Sequence, residues 1–214
     1  MKKTVCALLV CLLAALAAAP AAGSAGEPPP WRSMNKEVLA KLLERGELSS
    51  VDAFGPEQPE MCSIGILANA PPEKVWKAIT DFDGYGNLMP DFLAPQVLER
   101  ADKTALVHFT VTVLKLSVIS LTTDFTLRYK LDKPRRADIS WVSGKVKNVT
   151  GYWELFPVAG GKKTVVIYAI TSDPASANAL VGEVLKEQPT TVMAINLTGA
   201  IIVSRLVVKK AEKL

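Results

Sequence analysis

Apolar and polar residues alternate with a period of two through much of the chain after residue 60. In segment 121–131 one face carries Thr123, Phe125, Leu127, Tyr129 and Leu131. In segment 104–114 one face carries Val107, Phe109, Val111 and Val113. This period is typical of antiparallel strands that are buried on one side. Further segments predict strands at 62–68, 96–100, 137–142, 147–157 and 163–171, the last of them apolar on both faces.

Helical periodicity is found on both sides of this strand region. Residues 35–45 form a short amphipathic pattern that ends at Gly46, and we expect this helix to lie outside the main domain. Asp173 and Pro174 predict a helix start before residues 175–186. Pro189 opens a final helix over 190–210, with an apolar stripe of Met193, Leu197, Ala200, Ile201, Ser204 and Val208. This last helix is on the order of 30 Å long and is the only element long enough to cover the apolar face of the sheet.

The segment NAPPEKVWKAITDFDGYGNLMP, residues 69–90, joins the first strand to the rest of the sheet. Two prolines pre-set the backbone for a short helix whose inward residues are Val75, Trp76 and Ile79. The loop that follows brings apolar side chains to the rim of a hollow, namely Phe82, Tyr85, Leu88 and Met89. Gly84 and Gly86 allow this loop to bend. The loop is interpreted either as a gate or as a plain hydrophobic plug.

The order of these elements resembles the START-like, or helix-grip, superfamily, which includes the polyketide cyclase/dehydrase and coenzyme Q-binding families. The resemblance rests on A-P-P-E-K-V-W-x-x-I-T-D-F-D-x-Y-x-x-x-M-P at residues 70–90, and on Ile139-Ser-Trp141, Gly151-Tyr-Trp153, Tyr168 and the terminal helix. It covers residues 60–212. It implies an α+β fold in which a curved antiparallel sheet grips a long C-terminal helix around a hydrophobic ligand. Because this fold hosts many unrelated tasks, the resemblance alone assigns no activity.

The first 25 residues have the layout of a secretory signal peptide. Lys2 and Lys3 precede an apolar run, and small residues suitable for cleavage follow it. We therefore expect a signal peptide at 1–25, a linker with a short helix at 26–58 and a ligand-binding domain at 59–214, in a periplasmic or secreted protein. An uncleaved membrane anchor is the alternative. Cleavage would lower the net charge from +4 to +2, which does not suggest nucleic acid as a partner.

Conventional catalytic and metal-binding groups are scarce. His108 is the only histidine, and strand alternation places it on the face opposite to Phe109. After signal cleavage Cys62 is the only cysteine, so no internal disulfide is possible, and its face also carries Ile64 and Ile66, as expected for an inert buried thiol. Residues 81–84 lack the ligand ladder of a calcium loop. We expect no cofactor, no metal and no catalytic residue.

Aromatic residues spread over several strands suggest that one interior is lined for a flat apolar molecule. For any single aromatic residue, membership of an ordinary core is the alternative. Tyr129 and Tyr168 can direct a hydroxyl group toward a polar end of the ligand. The predicted ligand-binding residues are Trp76, Tyr85, Met89, Phe109, Val111, Phe125, Leu127, Tyr129, Trp141, Trp153, Tyr168, Met193, Leu197 and Ile201.

Together these features predict an exported carrier for a hydrophobic small molecule such as a lipid, quinone or polyketide-like compound. Two alternatives stay open: a cyclase or dehydratase acting on a poly-carbonyl substrate, and an envelope interaction module without a ligand. A set of basic residues is either a solvated face or a site of transient contact with an anionic membrane surface; it comprises Lys115, Arg128, Lys130, Arg135 and Arg136.

Overall fold

A computed structural model describes residues 30–52, 61–89, 92–116, 119–185 and 188–214. The predicted signal peptide and the first part of the linker lie outside these ranges. The helices are α1 Pro30–Ser33, α2 Lys36–Leu43, α3 Pro72–Thr80, α4 Tyr85–Leu88, α5 Ala179–Leu185 and α6 Pro189–Ala211. Short 3-10 turns occur at Phe82–Gly84, Ala159–Gly161 and Pro174–Ala177. The strands are β1 Leu48–Asp52, β2 Met61–Ala68, β3 Phe92–Ala101, β4 Thr104–Leu116, β5 Ile119–Asp132, β6 Arg136–Gly144, β7 Lys147–Val158 and β8 Lys163–Asp173.

The strands form one antiparallel sheet in the order β1-β2-β8-β7-β6-β5-β4-β3. Its two edges, β1 and β3, do not pair with each other, so the sheet is curved but open. Register shifts interrupt the pairing in β3–β4, β4–β5, β5–β6 and β7–β8, and such bulges increase the bend and twist of a sheet. The predicted fold class is therefore confirmed, although β1 was not predicted, because its five residues show little alternation.

The concave face of the sheet holds the main hydrophobic core, which is closed by α3 and α6. Val75 and Ile79 of α3 are fully buried beside Val207 and Val208 of α6. As predicted, α3 begins at a proline pair, with Pro71 in an extended conformation and Pro72 at the first helical position. The helix predicted over 190–210 is confirmed with nearly the same bounds.

Polar contacts fix the C-terminal half of α6 to three other parts of the fold. Arg205 forms an ion pair with Glu47 at 2.5 Å, and Lys210 pairs with Asp81. Beyond the end of the helix, the Glu212 carboxylate accepts a hydrogen bond of 2.8 Å from the Asn69 backbone amide. The helix is thereby anchored at the end distant from its N-terminus.

The short N-terminal helix packs on the convex face of the sheet, so the expectation that it lies outside the main domain is wrong. Leu39 and Leu43 of α2 are buried against Val165 and Ile167 of β8. The side chain of Asn35 caps this helix by accepting a hydrogen bond of 2.9 Å from the Glu37 amide. Strand β8 is apolar on both faces. Its concave face is buried in the main core, and its convex face is buried under the apolar stripe of α2.

Among the described residues, one helix, Thr190–Ala211, is long and apolar enough to cross a membrane by length and composition alone. In this fold the helix packs along β2, β8 and α3.

Candidate functional site

A cavity of about 220 Å³ lies between the concave face of the sheet and α6. An engineered apolar cavity of about 150 Å³ is large enough to bind benzene, so this space can hold a small organic molecule. The lining comes from α4, from strands β3 to β8 with the turn between β6 and β7, and from residues 195–203 of α6.

One wall of the cavity is an aromatic cluster. Phe92 and Phe109 meet edge to face with ring centroids 5.6 Å apart, and Phe109 lies 5.6 Å from Phe125. Tyr85 completes this group at 6.1 Å from Phe109. These spacings are within the range in which aromatic pairs stabilise one another beyond the burial of their surface. This part of the lining is therefore formed mainly by apolar ring surface.

Another part of the lining contains Trp153 of β7 and Tyr168 of β8, which are paired across the two strands and stacked. Ile139 and Leu127 extend this surface along β6 and β5. Val146, just before β7, and Val149 of β7 also line the cavity.

Three tyrosine hydroxyl groups are directed toward the interior. The Tyr85 hydroxyl donates a hydrogen bond of 2.9 Å to the Ile79 carbonyl, which also holds α4 against α3. Among the described residues, the hydroxyls of Tyr129 and Tyr168 have no such partner. Burial raises the pKa of Tyr85, Tyr129 and Tyr168 above the ordinary value of 10.0. All three therefore stay protonated and can donate hydrogen bonds.

A second polar group in the lining is formed by Ser172 of β8 and Asn196, which lies in the first third of α6. Ser172 of β8 donates a hydrogen bond of 2.5 Å to Oδ1 of Asn196, and Nδ2 of Asn196 donates one of 3.0 Å to the Ser172 carbonyl. Asn196 is 8% exposed. Both residues line the cavity. This pair connects the cavity-facing half of α6 to the sheet.

The cavity opens beside α6 at Ile195 and Gly199, which line it and are both exposed to solvent. A Cβ atom added at Gly199 would meet no heavy atom within 4 Å. The glycine therefore leaves open space at the mouth, although an alanine would favour the helix.

Half of the predicted ligand-binding residues line the cavity: Tyr85, Phe109, Phe125, Leu127, Tyr129, Trp153 and Tyr168. Whether they contact a ligand stays a prediction. The remaining predicted residues do not line it, which corrects their placement.

The misplaced residues fall into three groups. Trp76 and Met89 are buried in the core around α3, and Val111 packs at the margin of that core. Met193, Leu197 and Ile201 lie on other faces of α6 than the one directed at the cavity, which carries Ile195, Asn196, Gly199, Ala200 and Val203. Trp141 is 36% exposed, near the point where β6 and β7 stop pairing.

Several lining residues were missed by sequence reasoning. Ile139 and Ile170 occupy inward positions of predicted strands, so the alternation of apolar and polar residues could have identified them. Phe92 lies in a part of β3 that was not predicted. Ser172 and Asn196 are polar, and a search restricted to apolar residues passes over them.

No charged side chain is among the residues that line the cavity in the described part of the chain. Within the same part, no group of three His, Cys, Asp or Glu residues is placed to hold a metal ion. His108 does not line the cavity, and its Nδ1 lies 3.0 Å from the Thr126 hydroxyl oxygen. Cys62 is buried, with its sulfur 3.8 Å from the Met193 carbonyl oxygen.

A family model described as polyketide cyclase / dehydrase and lipid transport matches residues 68–194, which is more than half of the chain. A comparison with curated protein sequences finds no significant match. Similar solved structures include three of known type. The Zhui aromatase/cyclase from Streptomyces sp. R1128 is 18% identical with a TM-score of 0.55, over 72% of this chain and 93% of that one.

The second is a STAR-related lipid transfer protein from Xanthomonas axonopodis, 17% identical with a TM-score of 0.51, over 60% of this chain and 77% of that one. The third is human STARD10, 12% identical with a TM-score of 0.52, over 78% of this chain and 70% of that one. At these identities the likeness concerns the fold alone.

Proposed function

Because the chain belongs to the polyketide cyclase / dehydrase and lipid transport family, we propose that it is an exported carrier for a hydrophobic small molecule. The observation that carries the proposal is the neutral, aromatic-lined cavity with an opening beside Gly199. Transfer of apolar surface from water into such a site contributes about 25 cal/mol per Å². Burial of the ligand's rings and chains therefore supplies the affinity.

The binding step is tested with protein purified from its own host. Native mass spectrometry should detect a bound small molecule, and solvent extraction should recover it for identification. Uptake of quinones and lipids by the emptied protein should restore the complex. Repeated recovery of empty protein that takes up no quinone or lipid would refute the proposal and favour a ligand-free interaction module.

A larger side chain at position 199 would occupy the cavity mouth, because a Cβ atom added at Gly199 meets no heavy atom within 4 Å. Gly199→Leu should abolish or strongly weaken ligand uptake, because the added side chain occupies the entrance. Gly199→Ala is the matched control: it should bind nearly as well as the parent and be more stable by about 1 kcal/mol, since alanine favours a helix over glycine. Equal binding by the leucine variant would place the ligand elsewhere.

Export is the part of the proposal that rests on the sequence alone. Lys2 and Lys3, the apolar run after them and the small residues around Ala21 support it. An enclosed apolar site suits a protein that carries a hydrophobic ligand across an aqueous envelope compartment, because the site shields the ligand from water.

A cyclase or dehydratase is the second candidate, and the inward tyrosine hydroxyls are the observation that favours it. A protonated hydroxyl can donate a hydrogen bond to an enolate or carbonyl oxygen while the walls hold a poly-carbonyl chain in a folded shape. Incubation with a poly-β-carbonyl compound, followed by mass spectrometry, would detect the loss of water that such a reaction produces. Turnover that Tyr129→Phe or Tyr168→Phe abolishes would establish this activity.

A further inference from the structure

A second pocket lies at the C-terminal end of α6 and is separate from the cavity of the candidate site. It has a volume of about 390 Å³ and is formed between α4, the last two turns of α6 and the residues that follow that helix. No residue lines both this pocket and the cavity. Three of its lining residues are lysines, three are leucines and the seventh is Asn87. The pocket is therefore cationic and apolar at the same time.

The lysines of this pocket are only partly neutralised. Lys210 forms an ion pair with Asp81. Lys209 and Lys213 are exposed and form no ion pair with any described residue. Lysines four residues apart repel each other, and a bound anion would remove that cost. Asn87 adds a neutral amide whose N–H groups can donate to the same anion.

An exposed apolar stripe on the outward side of α6 leads into the pocket. Ile195, Gly199, Ile202 and Leu206 follow one another at intervals of three or four residues, so they share one face of the helix. Ile195 and Ile202 are 44% and 50% exposed. The next residue on this face is Lys209, about 10 Å along the helix axis from Ile202. The outward face of α6 therefore changes from apolar to cationic along its length.

The fold leaves much of α6 uncovered. Of its most apolar window, 28% is buried, although the helix closes the concave face of the sheet. The dipole of the helix favours cations at its C-terminal end, but it does not account for the exposed apolar stripe beside them. No acidic residue occurs between Pro189 and Ala211. Exposed apolar area next to unpaired lysines fits a partner that has both an anionic group and an apolar chain.

We infer that the pocket binds the phosphate group of an anionic amphiphile, whose apolar chain lies along the outward stripe of α6. Lys209, Lys213 and Asn87 donate to the phosphate oxygens, and Leu206 and Ile202 contact the chain. A phosphate suits the pocket better than a carboxylate, because it offers more acceptor oxygens to three separate donors. This site does not depend on the proposed carrier function, since it lies outside the cavity.

Three probes separate the two parts of this ligand. Octyl phosphate carries the anion and the chain, inorganic phosphate carries the anion alone, and octyl glucoside carries the chain alone. Calorimetric titration below the micellar concentration measures the affinities, and amide chemical shifts locate the site. Octyl phosphate should bind at least about tenfold more tightly than the other two, because only it gains both contributions. Its shift changes should centre on residues 87–88 and 206–214.

Variants at exposed positions identify the contribution of each part. The Lys209→Gln, Lys213→Gln double variant should lower the affinity for octyl phosphate by about tenfold or more, because it loses charge-assisted hydrogen bonds. Lys103→Gln, Lys130→Gln is the matched control and should bind as the parent does, since both lysines are exposed and lack an ion pair in the described part of the chain. Ile202→Ser should weaken octyl phosphate about threefold to tenfold and leave inorganic phosphate unchanged.

A phospholipid in a membrane and a dispersed alkyl phosphate present the same chemistry. Phosphatidylglycerol vesicles that bind through Lys209 and Lys213 would support the site with a membrane lipid as the source. Vesicles that do not bind, with octyl phosphate still bound, would support it with a dispersed amphiphile as the source.

Two results would overturn the inference. One is an equal loss of affinity in the control lysine variant, and the other is a set of shift changes confined to the cavity lining. A protein that takes up quinones or lipids in its cavity but binds no octyl phosphate at α6 would keep the proposed function and lose this site.

Discussion

Trp153 and Tyr168 stack with ring centroids 4.0 Å apart and ring planes 18° from parallel. They are direct partners across β7 and β8, so the pairing register places the two rings against each other. Both side chains are buried, and both line the cavity. The same contact therefore stabilises the sheet and forms a wall of the candidate site.

Replacement of Trp153 should be severely destabilising. Trp153→Ala removes a side chain that is 2% exposed and should lower the free energy of unfolding by about 3–5 kcal/mol. Trp141→Ala is the matched control, because Trp141 is 36% exposed, and its loss should be clearly smaller. Urea denaturation followed by circular dichroism measures both, and equal losses would contradict the assignment of Trp153 to the core.

The N-terminal segment is attached to the sheet by a buried ion pair. Arg32 and Asp52 lie 3.0 Å apart, with side chains 14% and 3% exposed, and Arg32 also donates a hydrogen bond of 2.7 Å to Ser63. Asp52→Ala leaves the guanidinium buried without its partner carboxylate and should cost about 3–5 kcal/mol.

An exposed ion pair provides the control for that measurement. Arg100 and Asp83 lie 2.9 Å apart but are 54% and 66% exposed, so Asp83→Ala should cost about 1 kcal/mol or less. Chemical denaturation of the two variants side by side tests the difference. If Asp52→Ala were as mild as Asp83→Ala, the N-terminal segment would contribute little to the stability of the fold.

Stability should fall as the pH rises above about 10. Burial raises the pKa of all four tyrosines, Tyr85, Tyr129, Tyr152 and Tyr168, in the folded state. The unfolded chain releases these protons near the ordinary value of 10.0 while the folded chain keeps them. The unfolded state then binds fewer protons, so the free energy of unfolding decreases with pH.

Urea titrations over a series of alkaline pH values measure this decrease. Tyr129→Phe should flatten the decline, because one of the groups responsible is gone. Tyr152→Phe should flatten it less, since Arg32 and Arg136 partly oppose the effect of burial on Tyr152. Tyrosinate absorbance near pH 10.0 in the folded protein would contradict the prediction.

Export predicts a shortened mature chain. In its own host, the protein should be recovered outside the cytoplasm with an intact mass that lacks about the first 20–25 residues. A charged residue in the apolar run, as in Leu12→Asp, should retain the full-length chain inside the cell. Full-length protein in the membrane fraction of the parent strain would favour an anchor instead.

Strand alternation placed several residues at the cavity, as the structure has them, because it depends on few assumptions. Phe125, Leu127 and Tyr129 occupy alternate positions of β5, and one face of an antiparallel strand over a core must point inward. Phe109, paired with Phe125 on β4, follows the same rule.

Trp141 illustrates where the rule stops. It pairs with Leu127 and so has the inward register, but the ladder between β6 and β7 ends at the Ser140–Thr150 pair. Beyond that pair the side chain loses the neighbours that would bury it. Alternation specifies a face of the sheet, but burial also requires that the sheet continue.

The terminal helix shows the larger difficulty. Its apolar residues are spread around most of its circumference. The predicted stripe faces the core at Ala200, Ser204 and Val208, and Ala200 lines the cavity, but Met193, Leu197 and Ile201 do not. The packing of α6 on the sheet, with the Ser172–Asn196 hydrogen bonds, decides which residues face the interior.

The sequence by itself determined the fold class, the faces of the central strands and the length of the covering helix, because these depend on local period and chain geometry. Only the tertiary structure decided which residues of that helix line the cavity, the place of the N-terminal helix on the convex face and the pairing of Ser172 with Asn196. Each of these depends on contacts between residues far apart in the chain, and such contacts leave no local pattern in the sequence.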